Sequence, residues 1–141
     1  MIAITATTDI RGLNAYKAAL EKTLQEEVDR MALIAEGVAK EKSPVDTGAL
    51  KASIFAVTSQ SNTGALAAAA ARSLNPKSDP ITYNERPAKH NSYVFCGVRY
   101  GQHVEYGAQG RAGRFMFTKT AEELNPIFTR NVVSAIQRMR I

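Results

Sequence analysis

LNAYKAALEKTLQEEVDRMALIAEGVAKEK, residues 13–42, carries a single apolar stripe and decides how the rest of the chain is read. Leu13, Tyr16, Leu20, Leu24, Val28, Met31, Ala35 and Val38 recur at three- and four-residue steps, the repeat of an α-helix with one buried face. Lys17, Glu21, Glu26, Asp29, Arg30, Glu36 and Lys40 fill the other side. The pattern predicts a helix roughly 45 Å long, at about 1.5 Å per residue. A small sheet of ordinary strands cannot cover that length. Leu33 and Ile34 add apolar area beside the main stripe, which predicts contacts on more than one side.

Upstream, residues 2–6 (IAITA) read as a short strand, and Thr8 or Asp9 offers an N-cap oxygen for the helix. Downstream, Pro44 stops the helix and pushes Ser43 out of α space. Val45-Asp46-Thr47-Gly48 is turn chemistry: Asp46 accepts backbone N–H bonds, and Gly48 tolerates positive φ. Asp46 or Thr47 could instead cap a helical turn at residues 48–51. Ser53 to Thr58 alternates as a strand.

Residues 60–91 interrupt this order. ALAAAAARSL has high helix propensity but little to bury, and the following stretch holds three prolines among polar residues. An extended arm or long loop with one short helix is expected there. Tyr93 to Tyr100 (YVFCGVRY) is the clearest strand, with Val94, Cys96 and Val98 on one face. Gln102 to Tyr106 reads as a turn or the second strand of a hairpin, and residues 107–113 as a flexible glycine-rich loop. Phe115, Met116 and Phe117 then lead into a closing helix whose start fits a capping box of Thr120 and Glu123. Leu124, Ile127, Phe128, Val132, Ala135, Ile136 and Met139 give its apolar spacing, and Pro126 is expected to bend it or restart it after Asn125. The fold class is α+β: one domain over residues 1–141, with a small antiparallel sheet covered by a long N-terminal helix and a C-terminal helix, plus the arm or loop.

No apolar run approaches the roughly 20 residues that span a bilayer, and the first residues lack the basic start and apolar stretch of a secretory signal. Synthesis and assembly in the cytoplasm are expected. Cys96 is the single cysteine, so an intramolecular disulfide and a cysteine-based zinc site are both excluded. It reads as a small hydrophobe in a strand. His103 has no second histidine at metal-binding spacing, and the glycines of residues 107–113 lack the Gly-Lys-Ser/Thr of a phosphate loop. Asp46 and Glu105 are not brought together by any spacing, so no acid–base pair is read from them, and Glu105 is expected at the surface. No catalytic, cofactor or metal residue is expected, and the chain does not read as an enzyme. The net charge of +5 permits contact with DNA, but most basic residues stand beside acids and read as a solvated surface.

Three segments in this order resemble a known family. The first is Ser43-Pro44-Val45-Asp46-Thr47-Gly48-Ala49-Leu50-Lys51-Ala52-Ser53-Ile54, following the long helix. The second is His103-Val104-Glu105-Tyr106-Gly107, following the strand that ends in Tyr100. The third is Arg114-Phe115-Met116-Phe117, entering the last helix. Together they resemble the tail-completion family of long-tailed double-stranded-DNA bacteriophages, also described as tail terminators, head–tail joining or neck proteins. Arg114 stands where the family often has proline, and Ala108 where it often has threonine. The resemblance covers nearly the whole chain except residues 60–91.

It implies a structural virion protein forming a ring, hexameric in the family, that terminates the tail tube and joins the head connector or head-completion (stopper) protein. Packaged DNA would pass through the lumen. The motif residues are Pro44, Asp46, Thr47, Gly48, Leu50, Ser53, Ile54, Val104, Glu105, Tyr106, Gly107 and Phe115. Candidate contact residues are Leu33 and Ile34 on the helix, Tyr83 and Arg86 in the arm, and Arg111 and Arg114 by the glycine-rich loop. The alternatives are another morphogenesis component, such as a head-closure stopper or minor tail or capsid protein, and a basic DNA-binding module.

Overall fold

A computed structural model describes residues 3, 11–44, 48–59, 64–77, 79–81 and 86–139, with the side chains of residues 64–67 left aside. Residues 2–6, Thr8, Asp9, Asp46, Thr47 and Tyr83, for which the sequence raised expectations, lie outside the described residues, save Ala3, which is coil.

The apolar stripe forms α1, Arg11–Lys42. Lys40 and Lys42 stand in its last turn, where positive charge suits the helix dipole. Pro44 follows two residues after its end. A four-residue helix, α2 (Ala49–Ala52), comes next, with Gly48 at its N-cap and φ of 82°. The helical turn thus forms, and the left-handed backbone before it is one that glycine adopts without steric cost. Strand β1 (Ile54–Val57) pairs antiparallel with β2 (Tyr93–Cys96), Ile54 opposite Cys96 and Val57 opposite Tyr93.

Between these strands lies α3, Gly64–Leu74, which packs on α2 and β1. Its alanines do find something to bury: Ala68 and Ala71 are closed off, and Ala71 joins the core. Residues 79–81 are tied down by backbone. Ile81 N–H donates to Gly97 O at 2.7 Å, Arg99 N–H donates to Asp79 O at 3.2 Å, and Pro80 bridges Val98. The described part of the arm therefore lies along the body.

Three local expectations are corrected. Gly101–Tyr106 is a helix, α4, rather than a strand, because Val104 N–H bonds Tyr100 O and its side chain joins the core from a helical face. The glycine-rich loop is a small hairpin, β3 (Gly107–Ala108) with β4 (Arg111–Ala112), its turn made by Gln109 and Gly110 at positive φ. The closing helix, α5, runs unbroken over Met116–Arg138. Thr120 is buried inside it and donates to Met116 O at 2.6 Å, and Glu123 pairs with Lys42 at 2.7 Å, so the two make no capping box. Pro126 sits on the exposed side, where the carbonyl it leaves unpaired can meet water.

α1 and α5 pack against each other, and α1 also covers both strands. Ala39, Leu50, Ile54, Ala71, Val98 and Met116 form the core, with Val94, Cys96, Tyr100, Val104 and Phe117 around it. The α+β reading holds.

Candidate functional site

Two kinds of motif residue separate in the structure. Most build the frame. Leu50, Ser53 and Ile54 are buried where α2 meets β1. Ser53 Oγ donates to Leu50 O at 2.7 Å and lies 3.4 Å from Cys96 Sγ, which fixes α2 to both strands. Gly101 lies so close to Cys96 that a Cβ there would stand 3.3 Å from the Cys96 Cβ. Burial pushes the Cys96 thiol above its ordinary value, against its hydrogen bonds with Ser53 and the Val98 carbonyl, and leaves it a poor nucleophile.

Glu105 overturns its expectation most clearly. Its side chain is buried at the start of α5. Oε2 accepts the Phe117 N–H at 2.9 Å, and Oε1 accepts the Thr118 N–H at 2.9 Å and the Thr118 Oγ1 hydroxyl at 2.8 Å. The N-cap residue of α5, Phe115, has no side-chain cap bond and sits at φ of 51°. A carboxylate borrowed from α4 does that work, satisfying orphan N–H donors and opposing the positive end of the helix dipole. The backbone repeats the tie: Arg114 N–H donates to Val104 O at 2.7 Å, and Phe115 N–H to Glu105 O at 3.1 Å. Gly107, at φ of 86°, closes the corner, since a Cβ would press on the Arg111 carbonyl. The second and third motif segments are thus one joint.

A second carboxylate organises the other end. Asp29 of α1 accepts from Gln25 Nε2 at 2.9 Å, Ser92 Oγ at 2.7 Å, Ser59 N at 3.2 Å and the Ser59 hydroxyl. Partial burial raises its pKa, but these hydrogen bonds outweigh that and hold it below its ordinary 3.8. Further along α1, Glu36 Oε2 accepts the Ala56 N–H of β1 at 2.8 Å. α1 therefore supplies carboxylates to the Ala56 N–H of β1 and to the Ser59 N–H just beyond it, so this edge is less open than the bare strand order suggests.

The remaining candidate residues face outward. Leu33 is 58% exposed and Ile34 40%, side by side on α1, with Leu13 further along the same helix. Tyr106 and Phe115 project from the α4–α5 joint, Tyr106 being 68% exposed. Arg86, Arg111 and Arg114 are exposed. Leu33 and Ile34 lie on α1, Arg111 on β4 and Arg114 on the link into α5.

Two concavities accompany them. One, of about 310 Å³, lies between α1 and α5 beside residues 90–94, lined by Met31, Ala35, Val94 and Phe128 with His90. His90 holds a left-handed backbone at φ of 63°, gives its N–H to Gln25 Oε1 at 2.8 Å, and buries Nε2 without a hydrogen-bond partner. The other, of about 800 Å³, is an open groove beside β3–β4 lined by His103, Arg111 and Arg114. Among the described residues, no group of three or more His, Cys, Asp or Glu could hold a metal ion, and no helix is long and apolar enough to cross a membrane.

No protein-family model, curated protein or solved structure matches this chain.

Proposed function

We propose that this chain is a structural subunit, not an enzyme, that assembles into a hexameric ring at the head–tail junction of a long-tailed phage. There it terminates the tail tube and docks on the connector or head-completion protein, with DNA in the lumen. Assembly takes place in the host cytoplasm and needs no cofactor or membrane.

The observation that carries the reading is the apolar surface of α1. A helix of 32 residues, about 48 Å long, has only three buried residues, and none before Glu27. Its partner α5 is nine residues shorter, from lengths of 32 and 23. Leu33 and Ile34 stay exposed as a pair. Adjacent large apolar side chains on the longest element suit burial against another copy. A ring uses heterologous contacts, in which one surface meets a different surface of the neighbour. Exposed Tyr106 and Phe115 on the α4–α5 joint offer that second surface, and aromatic anchors are favoured at interfaces. The motif order adds support, because the second and third segments are bonded through Glu105 into one unit.

Electron microscopy of the purified protein mixed with isolated tail tubes tests the proposal. Rings capping one end of each tube are expected. A chain that stays monomeric at every concentration and leaves the tubes bare contradicts it.

A further inference from the structure

The groove beside the β3–β4 hairpin has a chemistry of its own. It encloses about 800 Å³ and is lined by Pro44, Tyr100, His103, Gln109, Arg111 and Arg114, among others. Its basic side chains come from three elements: His103 from α4, Arg111 from β4, and Arg114 from the link into α5. All three are exposed. Among the described residues no Asp or Glu lines the groove, and neither arginine meets a carboxylate. Other cations of the chain do meet carboxylates: Arg30 pairs with Glu27 at 2.8 Å, Lys42 with Glu123 at 2.7 Å, and Arg99 with Asp79 at 3.4 Å. The groove thus gathers basic side chains with no acid among its lining residues.

We propose that this groove binds the phosphodiester backbone of duplex nucleic acid. Two guanidinium groups present planar forks that match phosphate oxygens two at a time. The Gln109 amide and His103 imidazole add donors. The net charge of +5 draws a polyanion to the surface from a distance. Contacts of this kind read phosphates and carry no base sequence. The proposal deepens the ring reading, since a ring at the head–tail junction encloses DNA. The groove is nevertheless complete within one copy, so its failure and the failure of ring assembly are separate results.

The test is fluorescence anisotropy of a labelled DNA duplex of mixed sequence, titrated with the full chain over a salt series. The wild-type protein is compared with the double variant Arg111→Gln/Arg114→Gln and with a control, Arg130→Gln/Arg138→Gln, on α5. All four side chains are exposed, so folding is retained. Salt-sensitive binding is expected for the wild type. The groove variant should lose about tenfold in affinity at low salt, and its log–log salt slope should fall by about two. The control should bind as wild type. Absence of wild-type binding, an unchanged groove variant, or an equal loss in the control overturns the proposal. Polyglutamate at matched charge should displace the duplex poorly; displacement as effective as by unlabelled duplex would assign the groove to acidic protein instead.

Discussion

Glu105 Oε2 accepts the backbone N–H of Phe117 at 2.9 Å, so a buried carboxylate on one helix starts the next. With Thr118 bonded to the other oxygen, the side chain replaces the cap that Phe115 cannot provide. Glu105→Ala leaves the Phe117 and Thr118 N–H groups without this acceptor and should cost about 2–4 kcal/mol. Glu105→Gln keeps one acceptor but loses the charge facing the helix dipole and should cost about 1–2 kcal/mol. Urea unfolding midpoints measure both. Wild-type stability in the alanine variant would show that α5 does not depend on this cap.

Gly107 allows the hairpin to fold back on α4. Alanine there faces a φ of 86° and a Cβ pressed on the Arg111 carbonyl oxygen. Gly107→Ala should destabilise by about 2–4 kcal/mol, because φ of 86° with ψ of 159° is a backbone region essentially confined to glycine and the added Cβ displaces β4. Gly110→Ala also meets positive φ but open space, so it should cost only the backbone part, about 1 kcal/mol. Thermal unfolding of the pair separates the two contributions; equal losses would remove the steric argument.

Asp29 makes stability depend on pH in the acid range. Its pKa is lowered in the folded chain, so its contribution is fully present above the unfolded value, near 3.8, and fades as pH falls through the still lower folded value. Asp29→Asn should therefore be less stable than wild type by about 1–2 kcal/mol at neutral pH, with the gap closing below about pH 4. Urea unfolding at a series of pH values reads the gap directly. A gap that persists unchanged into the acid range would mean that the carboxylate charge is not what the Ser59 and Ser92 hydroxyls recognise.

The sequence carried the long elements well and the joints poorly. α1 was legible because the apolar residues from Leu13 to Val38 repeat over about seven turns with charges opposite, and only a helix gives that period. β1 and β2 followed from short β-prone runs bounded by turns. Residues 101–106 misled because Val104 and Tyr106 alternate like a strand, while their helical form depends on the core that Val104 joins. Glu105 could not be found by local spacing, since its bonds reach 12 and 13 residues ahead. The one sequence hint was negative: Phe115 heads a helix with no Ser, Thr, Asp or Asn at the cap position. Ala71 shows the same limit from the other side, for an alanine run has no pattern until α2 and β1 supply a surface to bury it. The arginine groove was hidden because Arg111, Arg114 and His103 come to line one concavity only once the hairpin has folded.

The central claim, that the exposed face of α1 is covered by another copy in a ring at the head–tail junction, is tested most directly by cryo-electron microscopy of a complete particle containing this chain. The account predicts density for a closed ring at the end of the tail tube, with Leu33 and Ile34 of each copy buried against its neighbour. A particle that lacks the chain at that position, or a ring in which Leu33 and Ile34 remain open to solvent, would contradict it.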